Sequence, residues 1–352
     1  MLRFVAFVLA AELAVFATDG AAQISGHTSH GTLAIGIRVA SAGEAGPAYK
    51  SFERSLDAAM RSGTRPLDWA LAATGSPNPS RTIGASTPRS DGDLFRAAQA
   101  EPGDALVQWL VANYADTSTP EGAAHRTAAI EALARIEPDN GAIGMQALAD
   151  AARRGDADGI DDALAHMAQA RRFDDHFVDI VHAWLDVYDR HPPPASLATE
   201  AYDAGFVAAF AKAAATAIPA YNPLVLACKP TAGGDVAFSR APNCTAVGRI
   251  MLDRANSLVA RSIGFSILKN LGVATDADRA ARRTIAWYYA NAMRGTGEDG
   301  NARDALAYEA DWRRMSDESD VKQNALRRGG LTIEPPAGWD PHASSGDVAV
   351  AR

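Results

Sequence analysis

The chain of 352 residues is poor in several things, and each shortage removes a class of function. It has two cysteines, so neither a disulfide-dense scaffold nor a four-cysteine zinc site is available. Aromatic residues make up only 7% of it, and no window clusters Lys and Arg with interleaved aromatics. With a formal net charge of −8, that leaves no electrostatic footprint for nucleic acid. No apolar run is long enough to span a bilayer, which needs about 20 residues. No G-x-S-x-G elbow is present, and no alternating strand pattern extends beyond a few residues.

What is abundant is alanine, within a hydrophobic fraction of 47%. Alanine is the strongest helix former and lets helices approach closely, so composition alone predicts an all-α fold. The ends are different. Met1-Leu2-Arg3, an apolar run Phe4–Ala11 and small residues at Ala21-Ala22 predict a secretory signal over residues 1–22. A Gly/Ser/Ala-rich leader follows over 23–47, a helical body over 48–330, and an extended tail over 331–352 in which Trp339 is expected to anchor back on the body. In an exported chain, Cys228 and Cys244 are most economically a disulfide. Closing that loop would contribute roughly 3 kcal/mol in the chain-entropy model. No second cysteine pair and no nearby histidine completes a zinc set.

Helical periodicity organises the body. Glu101-Pro102-Gly103-Asp104 returns as Glu137-Pro138-Asp139-Asn140, 36 residues on (101 to 137), and each is followed by two helical runs. In the first unit Val107, Leu110, Val111 and Tyr114 share a face, as do Thr127, Ile130, Leu133 and Ala134. In the second, Ala147, Leu148 and Ala151 face Ile160, Ala163, Leu164, Met167 and Ala168, the strongest helical stripe in the chain. Phe177, Ile180, Val181, Trp184 and Tyr188 mark a helix ending before Pro192-Pro193-Pro194. Further helices are expected over 196–218, from Val247 to Val259, over 263–271, over 276–294 behind a Thr275–Asp278 capping pair, and as one long helix over 301–327. Residues 75–91 and 219–244 read as loops.

A period of roughly 34–40 residues with two helices each is the mark of a helical solenoid. Over residues 101–175 the pattern resembles the tetratricopeptide (TPR) helix pair. Pro138 matches the proline closing a repeat, Gly155-Asp156 the inter-helix turn, and Leu164 and Met167 the packing positions of the second helix. Gly144, Ile160 and Arg172 depart from residues the family prefers, and the spacing also suits Sel1-like repeats, although their glycine-rich turn is missing. The resemblance implies an α-α superhelix, a TPR-like solenoid, acting as a scaffold for a protein or peptide partner.

Several constellations carry the types of residue that chemistry uses. His176, Asp179, His182 and Asp186 lie along one expected helix, where a metal would take histidine and carboxylate, but six residues separate the histidines and the set reads as a solvated face. Gly295-Thr296-Gly297-Glu298-Asp299-Gly300 spells G-x-G-x-x-G, yet it follows a helix and puts two carboxylates where pyrophosphate would sit. Asp156, Asp158, Asp161 and Asp162 do not match an EF-hand loop and suit a helix N-terminus. His27 and His30 lie in the leader. Exported α-superhelices have an enzymatic precedent in the lytic transglycosylases, whose catalytic glutamate lies in an attached lysozyme-like domain; Glu200, Glu309 and Glu318 have no such context here. The expectation is therefore binding, with no catalytic, cofactor or metal residue, and with an envelope hydrolase as the competing class.

Overall fold

The computed structural model describes residues 47–74, 92–195, 204–217, 220–230, 239–292 and 302–341. Among these the fold is all-α, with fifteen helices and only isolated β-bridges. The first are α1 (Pro47–Ser62), α2 (Pro66–Thr74), α3 (Gly92–Ala100), α4 (Ala105–Tyr114) and α5 (Pro120–Ile136). Then come α6 (Gly144–Arg154), α7 (Ala157–Ala168), α8 (Phe177–Arg190), α9 (Ala204–Ala217) and α10 (Asn222–Ala227). The last are α11 (Ala241–Arg254), α12 (Leu258–Asn270), α13 (Asp276–Asn291), α14 (Ala302–Trp312) and α15 (Glu318–Arg328). No described helix is long and apolar enough to cross a membrane. The signal and leader, the loop 75–91, and the candidates His27, His30, Glu200 and Gly295–Gly300 lie outside the described residues.

Local chemistry sets the boundaries. The Asp104 carboxylate accepts from Val107 N at 2.8 Å, and Thr119 caps α5 with Pro120 in its first turn. Gly155, at φ 65°, takes the left-handed residue that ends α6, and the next residue, Asp156, caps α7. Thr275 and Asp278 form a reciprocal capping box. Two expected helices are each broken in two. Ser257 caps α12 after a bend at Ala255, and Asp317 caps α15 after α14 has ended. Cys244, expected in a loop, lies in α11, and a short helix, α10, precedes Cys228.

Helices pair as α4 with α5, α6 with α7, α8 with α9 and α11 with α12. The partner that follows α7 in space is α11, not α8; α8 lies instead against α2 and α14, and α9 meets α14 through Phe206 and Phe210. α11 and α12 cross at glycines, because a Cβ on Gly264 would sit 2.6 Å from the Gly248 carbonyl oxygen. Gly144 likewise leaves the space that Met167 fills, since a Cβ there would meet its Cγ at 2.4 Å.

The buried faces agree with the stripes on α4, α7 and α8, but α5 is turned from its expected face. Thr127 and Ala134 are exposed, while Arg126, Ala129 and Leu133 are buried. Arg126 is accommodated because its Nε donates to Ala112 O at 2.9 Å, Nη1 to Asp150 at 2.7 Å and Nη2 to Gln146 at 2.6 Å. Ala147 on α6 is also exposed.

Candidate functional site

The expected solvated face of α8 is not solvated at its start. His176 precedes the helix, in the left-handed region at φ 56°, and is 2% exposed. Its Nδ1 meets Asp179 Oδ2 at 2.8 Å and its Nε2 meets Glu137 Oε2 at 3.2 Å, with the Trp109 ring 5.0 Å away. Burial alone would lower the imidazole pKa, but the hydrogen bonds to Asp179 and Glu137 outweigh it and push it up to about 10. Burial works the other way on Glu137, and there the hydrogen bond from His176 wins and holds the carboxyl down at about 2. Farther along, His182 packs its ring nitrogen on the Trp312 carbonyl, and Asp186 pairs with Arg65 at 2.6 Å and with Arg190 at 3.3 Å.

Asp174, His176 and Asp179 bring one ligating atom each within 4.8 Å of one another, the spacing of a metal site. These groups are also paired with one another and with neighbours: both His176 ring nitrogens meet carboxylates, and Arg172 Nη1 lies 2.9 Å from Asp174. The cluster is an ion-pair clamp between the end of α5 and the start of α8.

That clamp continues inward. Asp174 Oδ1 accepts from Asn256 Nδ2 at 2.6 Å and from the His176 amide at 2.9 Å. The neighbouring Asp175, 2% exposed, accepts from Ser257 Oγ and Tyr221 Oη, each at 2.6 Å. Burial raises the Asp175 pKa, and these two donors hold it back in part. Asn256 O accepts from Glu318 N at 3.0 Å, and Glu318 Oε2 accepts from Leu258 N at 2.8 Å. Glu318 therefore caps α12 from another helix.

Beyond it lies Lys322, 1% exposed. Its Nζ is 3.7 Å from Glu318 Oε1, donates to Tyr308 Oη at 3.1 Å, and lies 5.8 Å from each of the Tyr289, Tyr308 and Trp312 ring centroids. A polar chain thus runs from Glu137 to Lys322 through three irregular segments. Parallel bridges join two pairs of their residues, Asn140 with Arg172 and Phe173 with Ala255.

The remaining candidates lie apart from this polar chain. Asp156 is the α7 cap, accepting from Gly159 N at 2.9 Å, and Asp161 pairs with Arg240 while Asp158 and Asp162 are exposed. Glu309 is buried at 8%, with Oε1 held by Arg313 at 2.7 Å and no hydrogen-bond partner on Oε2. Cys228 and Cys244 are bonded, with Cα atoms 5.6 Å apart, and both are buried. Sequence reading missed Arg126, Asp175, Lys322 and the role of Glu318. The cap residues Ser257 and Asp317 were the available signals for the last. Comparison with family models, curated proteins and solved structures finds no match to this chain.

Proposed function

We propose that this protein is an exported, non-enzymatic helical scaffold of the tetratricopeptide-like kind, binding a protein or peptide partner in the bacterial envelope. The observation that carries the reading is how the buried polar groups are used. From Glu137 to Lys322 they are engaged with one another and with backbone groups, as a framework uses them rather than a reaction centre. Recognition then falls to the surface of the helix pairs. The disulfide, and the lack of a membrane-crossing helix among the described residues, are compatible with a place outside the cytoplasm.

The test is affinity capture from envelope extract with a photocrosslinker on the bait. The reading expects a partner enriched in near-stoichiometric yield, and recovery of nothing above an unrelated helical bait would contradict it. A second reading, an envelope hydrolase, rests on the buried, half-partnered carboxylate of Glu309. It requires that Glu309→Gln abolish a hydrolytic activity while leaving the fold intact.

A further inference from the structure

The segment after α15 is bound to the body as a ligand would be. Gly330, at φ 68°, turns the chain out of the helix, and residues 331–339 then run along α13. Leu331, Ile333, Pro335 and Trp339 are partly covered, while Thr332, Glu334 and Pro336 are exposed, the alternation of an extended strand of peptide. α13 grips it through main-chain carbonyls. Trp287 Nε1 donates to Thr332 O at 2.9 Å, Arg283 Nε donates to Trp339 O at 2.9 Å, and Arg283 Nη2 donates to Pro336 O.

The largest of the segment's side chains packed on the body, beside Leu331 and Ile333, is Trp339. Its ring stands edge-on to Trp287 with centroids 5.2 Å apart, and the Arg283 guanidinium lies 6.0 Å from its centroid. A turn from Pro336 to Trp339, closed by Trp339 N donating to Pro336 O at 3.1 Å with Gly338 at φ 81°, presents the ring.

We infer that the Arg283–Trp287 face of α13 is a docking site for an extended, proline-bearing peptide with a tryptophan anchor, and that residues 331–339 occupy it in cis. The inference rests on the binding reading and names its surface. Three features support it. One donor meets extended backbone at Thr332 and two meet carbonyls of the 336–339 turn, and none of the three reads a side chain, so the face is not limited to this segment. Prolines restrict the free peptide toward the bound shape, which lowers the ordering cost. Glycines at 330 and 338 let the segment lift and reseat without strain. Tethering makes the cis complex competitive at an effective concentration of about millimolar, so a partner must outbid it by affinity or by number of contacts.

The probe is a fluorescein-labelled peptide of residues 331–341, titrated by anisotropy into the full-length chain. Wild type should bind it weakly because the face is occupied. Trp339→Ala in the full chain should bind it at least ~10-fold more tightly, because the tethered competitor has lost its anchor. Adding Arg283→Ala to that variant should remove the gain. Equal binding by wild type and Trp339→Ala, or tight binding that survives Arg283→Ala, overturns the proposal. Should either variant unfold, hydrogen exchange on wild type decides. Excess unlabelled peptide must deprotect residues 332–339, and the same peptide with Trp339→Ala must not.

A dimer that dissociates on Trp339→Ala would put a second copy's segment in the site, overturning the cis arrangement. If a captured envelope partner binds wild type and Arg283→Ala equally, the binding reading stands and this surface is wrong.

Discussion

The Ser257 hydroxyl donates to the buried Asp175 carboxyl group at 2.6 Å while its oxygen accepts from Ala260 N at 3.2 Å, so one side chain caps α12 and satisfies an interior acceptor. Ser257→Ala removes both. Loss of a cap costs about 0.5–2 kcal/mol, and depriving a buried acceptor of a donor costs about 1–3 kcal/mol. The expected loss of stability is about 1.5–5 kcal/mol by urea denaturation. A change below about 0.5 kcal/mol, the range of an ordinary surface substitution, would show that Asp175 does not depend on Ser257.

The clamp around His176 gives the protein a two-sided pH dependence. The imidazole is raised from 6.5 to about 10, so its contribution is complete below the unfolded pKa and is lost as pH rises from 6.5 through 10. Glu137 is lowered from 4.5 to about 2, so its contribution is complete above 4.5 and is lost as pH falls toward 2. The pair is therefore strongest between these windows, near pH 4.5–6.5. In His176→Gln the alkaline decline in stability between pH 6.5 and 10 should flatten, measured by denaturation at a series of pH values. An unchanged slope would mean that His176 is not held as an imidazolium.

The buried pair of Lys322 and Glu318 is expected to be asymmetric. Lys322→Met leaves Glu318 still accepting from Leu258 N, and methionine refills much of the space among Tyr289, Tyr308 and Trp312. Glu318→Ala removes the α12 cap and the counter-charge together. Each variant leaves one buried charge uncompensated, a loss of about 3–5 kcal/mol, and Glu318→Ala should cost a further ~0.5–2 kcal/mol for the lost cap. Equal losses would show that the cap contributes nothing beyond the pair.

How much of this was readable beforehand follows from which interactions are local. The stripe Ile160–Ala168 and the Thr275–Asp278 box involve residues three to eight apart, and both were legible. His176, Asp175 and Lys322 were not, because apolar periodicity counts a charged residue as solvated. Their partners lie far along the chain, as Tyr221 and Ser257 do from Asp175. The helix breaks at Ala255–Ser257 and before Asp317 were hidden by apolar spacing that runs through them, although the cap residues themselves were visible. The α5 face was misjudged for the same reason, since Arg126 looks polar and is buried.

The claim on which the functional account most depends is that this is a stapled scaffold working outside the cytoplasm. It is tested most directly by intact mass on protein taken without reductant from a bacterial envelope fraction and alkylated before and after reduction. The account expects a mature chain that has lost residues 1–22. Cys228 and Cys244 should be unreactive before reduction and both labelled after it. A full-length chain with two thiols labelled at once would contradict the account and send the search for its partner to the cytosol.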